Sequence, residues 1–334
     1  MSVTKSNYTG TYDGSSHTFT LSVSGPSSYT VYYSTSTSLT SSNYSSSGST
    51  TKPNRTNAGG TKVYYYVKDG TGNYDDASGS VYIYIKPKVS ATAYSGTYDG
   101  SAHSATVTAT GSATVYYSKT TELTYSNYSS SGTTTKPTRT NVGTTTVYYI
   151  AVPTSGTVNS STVTTGSTTI TISKASMTTS KSNYSGTYDG SSHTFTLSVS
   201  GPSSYTVYYS TSTSLTSSNY SSSGSTTKPN RTNAGGTKVY YYVKDGTGNY
   251  NDASGSAYIY IKPKVSTTAY SGTYDGSAHS ATVTATGSAT VYYSKTTALT
   301  YSNYSSSGTT TKPTRTNAGT TTVYYIAVPT SGTV

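Results

Sequence analysis

Cysteine, tryptophan and glutamine are absent from the 334-residue chain, and only 9% of its residues are charged. Without cysteine there is no disulfide scaffold, no thiolate metal site and no thiol nucleophile. Without glutamine there is no Thr–Gln ester cross-link. Ala, Leu, Glu and Met are too scarce to build long helices. No apolar run approaches the roughly 18 residues needed to cross a bilayer. What the chain does contain is Ser and Thr at about two fifths of its positions, and 40 Tyr against 2 Phe. Hydrophobic residues make up 31%, and setting tyrosine aside leaves roughly a fifth of the chain as ordinary core material. That level borders on disorder, yet the high charge density that accompanies disorder is missing.

The net charge is +11, from 21 basic and 10 acidic residues. The basic residues are dispersed in motifs such as Lys52-Pro53-Asn54-Arg55. This pattern describes a mildly basic, solvated surface and not a nucleic-acid footprint.

Internal repetition decides the architecture. Tyr12-Asp13-Gly14, Tyr98-Asp99-Gly100, Tyr188-Asp189-Gly190 and Tyr274-Asp275-Gly276 follow one another at offsets of 86, 90 and 86. The first and third modules are of one type and the second and fourth of another, so the unit is a pair of modules 176 residues long. Residues 1–158 and 177–334 differ at nine positions, among them Asp75/Asn251 and Val81/Ala257. Met1 aligns with Met177, so the chain reads as a segment of a longer array. Expected boundaries are 5–89 and 181–265 for type 1, and 90–174 and 266–334 for type 2. The last module lacks a counterpart of Thr168-Thr169-Ile170-Thr171-Ile172 and should keep an open sheet edge or be completed by a neighbouring chain.

Within a module the apolar period is two, as in half-buried strands. Phe19, Leu21 and Val23 alternate with Thr18, Thr20 and Ser22; Val63, Tyr65 and Val67 alternate with Tyr64, Tyr66 and Lys68; Val81, Ile83 and Ile85 alternate with Tyr82 and Tyr84. Asp13-Gly14, Gly25-Pro26, Asn57-Ala58-Gly59-Gly60 and Asp69-Gly70-Thr71-Gly72-Asn73 supply turns. The expected fold is all-β: tandem immunoglobulin-like antiparallel β-sandwich modules in an elongated array. Ile85-Lys86-Pro87-Lys88-Val89 joins the first two modules with almost no slack, whereas the connection from Ser173 to Ser180 is longer and should bend more.

Tyr12-Asp13-Gly14-Ser15-Ser16-His17, Tyr29-Thr30-Val31-Tyr32-Tyr33-Ser34, Asn57-Ala58-Gly59, Gly72-Asn73-Tyr74 and Ser80-Val81-Tyr82-Ile83-Tyr84-Ile85 resemble the YDG or MBG repeats of bacterial surface adhesins. The second module departs from this pattern, carrying Pro153-Thr154-Ser155-Gly156 in place of the Gly-Asn-Tyr turn. The resemblance implies extracellular, cell-surface stalk or adhesive repeats, and it implies no catalytic residues.

Each module has one His, four positions after the motif Asp: His17, His103, His193 and His279. No nucleophile accompanies these pairs, so Asp13 and its equivalents read as turn residues and the histidines as side chains tied to those turns. Asp69, Asn73, Asp75 and Asp76 concentrate oxygen donors, but Lys68 and the Asp75/Asn251 exchange favour a flexible hairpin turn over calcium. A Lys–Asn isopeptide lacks a dedicated acid. Sequons such as those at Asn7 and Asn43 are expected by chance in so Ser/Thr-rich a chain.

The outward tyrosines remain: Tyr64, Tyr66, Tyr82 and Tyr84, and their copies Tyr240, Tyr242, Tyr258 and Tyr260, should form an aromatic patch on one sheet face. The function expected is a non-catalytic stalk or fibre without cofactor or metal, its partners neighbouring repeats or other copies in a fibre. The alternatives are a glycan- or host-surface-binding module that uses those tyrosines, and a self-assembling filament subunit. Neither nucleic acid nor a membrane span enters this reading.

Overall fold

In the computed structural model, which describes residues 1–333, the two-residue alternation resolves into strands that bury one face each. The first module runs β1 (Ser2–Ser6), β2 (Tyr8–Thr11), β3 (Thr20–Ser24), β4 (Tyr29–Ser34), a helical turn α1 (Tyr44–Ser47), β5 (Gly59–Asp69) and β6 (Ala77–Lys86). One sheet pairs β1 with β3, and the facing sheet has the order β2-β6-β5-β4. All pairings are antiparallel except β2 with β6, which are parallel from Tyr8↔Ile83 to Thr11↔Lys86. This order makes an immunoglobulin-like sandwich.

Phe19, Tyr33, Val63, Tyr65, Val67, Val81, Ile83 and Ile85 form the centre of the core, flanked by the half-buried Val3, Leu21, Val23 and Val31. Each fully buried aliphatic side chain stabilises the fold by roughly 1.5–3 kcal/mol relative to exposure.

The second module repeats the plan with β7 (Lys88–Thr92), β8 (Tyr94–Thr97), β9 (Thr106–Thr110), β10 (Ala113–Ser118), α2 (Tyr128–Ser131), β11 (Gly143–Pro153) and β12 (Thr164–Ser173). Its sheets are β7-β9 and β10-β11-β12-β8, and β8 again runs parallel to β12. Only Pro87 separates β6 from β7, and its carbonyl accepts a 2.6 Å hydrogen bond from Thr164 Oγ1.

The chain divides into two compact units, Met1–Ser173 and the part from Lys174 onward. In the second unit the third module reproduces the parallel ladder, Tyr184↔Ile259 to Thr187↔Lys262. Part of the connection expected to bend is used there: Ala175–Ser176 pairs in parallel with Tyr250–Asn251, and Met177 enters the module core. In the fourth module the strand Ala289–Ser294 pairs with the strand Tyr324–Pro329 and with no other strand among the described residues, and Tyr270–Thr273 has no strand partner among them either. Tyr324 and Tyr325 are accordingly 38% and 41% exposed. The chain is an all-β series of tandem immunoglobulin-like sandwich modules.

Candidate functional site

The outward tyrosines separate into two groups. Antiparallel pairing sets Lys62 opposite Tyr82 and Tyr64 opposite Ser80, so the rings stagger and do not face one another. Tyr82 and Tyr84 stack with centroids 5.2 Å apart, and Lys62 Nζ stands 4.6 Å from the Tyr64 ring and 5.8 Å from that of Tyr82. The third module repeats the set with Tyr258, Tyr260, Lys238 and Tyr240. These rings are half-buried, apart from the exposed Tyr260. The lysines sit on the aromatic faces as cation–π partners.

Tyr66 and Tyr242 correct the sequence expectation. They project from the outer side of their sheet but are only 4% and 5% exposed. The helical turn folds Tyr44 flat onto Tyr66, with centroids 4.7 Å apart and planes 5° from parallel, and Tyr220 covers Tyr242 in the same way. Tyr66 donates a 2.6 Å hydrogen bond to Asp76 Oδ2, which also accepts from Lys68 at 2.9 Å. Burial, and then the bond to Asp76, pushes the Tyr66 phenol up to about 12. The four-phenol patch thus loses one member in each type 1 module to a small second core. In the second module Ile150 takes this place, buried with Leu123, Val152 and Val163.

The Tyr-Asp-Gly motif and its His form one hydrogen-bonded corner, repeated in all four modules. His17 Nε2 donates to Asp13 Oδ1 at 2.9 Å, Ser15 N–H donates to the same oxygen at 2.8 Å, and the His17 ring stacks on Tyr8 with centroids 4.4 Å apart. Gly14 sits at φ +85°, a conformation that glycine adopts without strain. The His17 backbone exchanges both its hydrogen bonds with Arg55. The bond from His17, and then that from Ser15, holds the Asp13 carboxyl below its ordinary range. Asp99–His103, Asp189–His193 and Asp275–His279 do the same beside Gly100, Gly190 and Gly276. Each carboxylate is therefore occupied by its own turn.

The Asp69 loop is organised around its own carboxylates. Asp69 accepts from the backbone N–H groups of Thr71, Asn73 and Tyr74 and from the Thr71 hydroxyl. Burial works to raise this carboxyl, but the bonds from Thr71, Tyr74 and Asn73 outweigh it and hold it far below the usual value. The Asp69 and Asp76 oxygens that a calcium ion would need already accept hydrogen bonds from the chain. Among the described residues no three His, Asp or Glu side chains gather around a common point.

The arrangement that sequence reasoning missed lies between the first and second modules. Arg55 Nη2 donates to the carbonyl and hydroxyl of Ser155, at 2.8 and 3.2 Å, while its Nε and Nη1 hold Asn57 O and Thr61 Oγ1 at 2.8 and 3.1 Å. Gly60 and Thr157 exchange two 2.8 Å backbone hydrogen bonds, and Ala58 N–H donates to Gly111 O at 2.8 Å. The Tyr12 ring lies on Gly111, where a Cβ would come within 2.7 Å of the ring. Burial lowers the Arg55 guanidinium from its ordinary value. The second unit repeats every contact with Arg231, Ser331, Gly236, Thr333, Ala234, Gly287 and Tyr188. Tyr12 and Tyr188 are half-buried by these contacts, whereas Tyr274, which no module overlies among the described residues, is 69% exposed. One signal was legible: the chain has only four arginines, each at the same place in its module, Arg55, Arg139, Arg231 and Arg315.

No protein family model matches the sequence, and no curated protein matches it either. Solved structures similar in build include immunoglobulin domains 1–5 of Sidekick-1, at 12% identity and a TM-score of 0.28 over 78% of this chain; the match spans 59% of that chain. Domains 1–4 of Sidekick-1 match at 12% identity and a TM-score of 0.23, covering 98% of this chain and 94% of theirs. Titin domains I67–I69 match at 10% identity and a TM-score of 0.27, over 78% and 98% respectively.

Proposed function

We propose that the chain is a run of spacer repeats from a bacterial cell-surface adhesin or extracellular filament of the YDG/MBG type it resembles, serving distance and tension and not chemistry. The observation that carries this reading is the parallel ladder between β2 and β6, repeated as Tyr94↔Ile170 and Tyr184↔Ile259. Tension along the chain pulls β2 and β6 in opposite directions. Because the two strands are parallel, their hydrogen bonds are loaded in shear, all at once, and resist together. The polar groups that recur in every module, the Asp–His corner above all, are spent on internal bonds, which supports a non-catalytic role.

Single-molecule pulling on the whole chain tests this. Three high-force events are expected, each releasing roughly 300 Å for about 85 residues. The fourth module, whose described residues lack the ladder, should yield at lower force. Four indistinguishable weak events, or none, would defeat the reading.

A second reading, glycan capture, is favoured by the stacked pairs Tyr82–Tyr84 and Tyr258–Tyr260 beside their lysines. Binding on a glycan array that disappears when these four residues become Thr, with melting temperature preserved, supports it. Silence of the parent chain on the array removes it.

A further inference from the structure

The contacts between modules are asymmetric, and the asymmetry specifies which module can follow which. The far end of a type 1 module presents Tyr12, Arg55 and the Gly59-Gly60 pair. Gly59 has φ +122°, and a Cβ there would collide with the Ser155 carbonyl oxygen. A Cβ on Gly60 would come within 3.0 Å of both Thr157 Cβ and Thr157 O. The same place in type 2 modules is taken by Thr144 and Thr320, whose longer branched side chains would fill the space that the Ser155–Thr157 loop needs.

The near ends differ as well. In type 2 modules Gly111 and Gly287 receive the Tyr12 and Tyr188 rings of the preceding module. The equivalent glycines of type 1 modules, Gly25 and Gly201, are covered by their own module's Tyr74 and Tyr250, within 3.1 and 2.9 Å of a built Cβ. That Tyr belongs to the Gly-Asn-Tyr turn, the element type 2 modules lack.

We propose that the type 1 far end and the type 2 near end form a selective lock whose partner is a type 2 module and no other, with Gly60 and Gly236 as the residues that determine selectivity. A type 2 module cannot receive its own kind, because Thr144 or Thr320 blocks the loop. A type 1 module cannot receive its own kind, because the seat for Tyr12 is already filled. The lock explains why the duplicated unit is a pair of modules and not a single one. It stands independently of what the array carries.

Site-resolved amide hydrogen exchange on the full chain tests it. In the parent protein the Ala58 and Thr157 amides should exchange at least about tenfold more slowly than the exposed Gly72 amide. In the variant Gly60→Thr both should lose that protection while the Val63 and Val147 amides, inside the two cores, keep theirs. Should Val63 also lose protection, Tyr12→Ala, which leaves β5 untouched, takes its place with the same readout. Unprotected Ala58 and Thr157 in the parent, or unchanged protection in a folded variant, overturns the lock.

Discussion

At the residue scale the excess of tyrosine is coupled to the supply of glycine. Tyr8 lies over Gly10, Tyr94 over Gly96 and Tyr184 over Gly186 along a strand; Tyr65 covers Gly79, Tyr149 covers Gly166 and Tyr241 covers Gly255 across strands. A ring laid over a glycine recovers the contact that a missing side chain forfeits, the aromatic rescue used in sheets. This is how a chain poor in Leu and Ile completes its core. Inserting a methyl group tests it: Gly79→Ala places a Cβ within 2.5–2.7 Å of the Tyr65 phenol. The expected cost is about 1–3 kcal/mol, read from denaturant melts. Alternation in the sequence placed Tyr65 inside correctly and set Tyr66 outside. The side of the sheet was right and the exposure wrong, because nothing near Tyr66 in sequence announces that Tyr44, 22 positions away, will cover it.

The Tyr66 phenol also carries a pH signature. Burial and the bond to Asp76 favour the neutral phenol, so its contribution to stability is intact below the ordinary value of about 10 and is lost as pH rises through about 12. Ultraviolet titration of the folded protein should show Tyr66 and Tyr242 among the last phenols to ionise. In Asp76→Asn with Asp252→Asn the late phase should move down toward 10, and a late phase that does not move would refute the assignment.

At the scale of elements, α1 is four residues long, too short to be stable alone, and it is held by what it covers. Tyr44 stacks on Tyr66 and meets Tyr32 edge-on at 4.8 Å, with Leu39 buried beneath the same turn at 2% exposure. Removing the ring in Tyr44→Ala should cost about 0.5–1.5 kcal/mol beyond the lost burial and make Tyr66 accessible to iodination. Strands β3, β5 and β6 were legible in the sequence because each carries two or three inward apolar residues in register. β1 and β2 were not, since β1 has a single apolar residue, Val3, and β2 is Tyr-Thr-Gly-Thr. Their place in the sandwich is set by pairing with β3 and β6, which is tertiary information.

For the whole molecule, acid is the informative perturbation. Asp13, Asp99, Asp189 and Asp275, each tied first to its His, and Asp69, Asp76, Asp245 and Asp252, each hydrogen-bonded within the Asp69 loop or its copy, are all held below the ordinary carboxylate value. A depressed folded-state value contributes stability that is present above the unfolded value, near 3.9, and lost as pH falls through the folded one. Melting temperature should therefore hold steady between about pH 5 and 8 and drop below about 4. A melting temperature unchanged to pH 2.5 would mean that these corners contribute nothing. Loss of carboxylate charge also leaves 21 basic residues unbalanced, which acts in the same direction.

The single-residue connection at Pro87 has a consequence for resistance to proteolysis. Proteases need a stretch of backbone free to extend into their clefts, and they find it in exposed loops and linkers. Here Lys86 closes one strand and Lys88 opens the next, while Pro87 itself is buried. Of the two basic residues here, Lys86 is followed by Pro87 and so offers trypsin no bond it can cut, and Lys88 offers one with no slack chain around it. Cutting there requires part of a module to open first, so resistance to nicking between paired modules is set by the stability of the modules themselves.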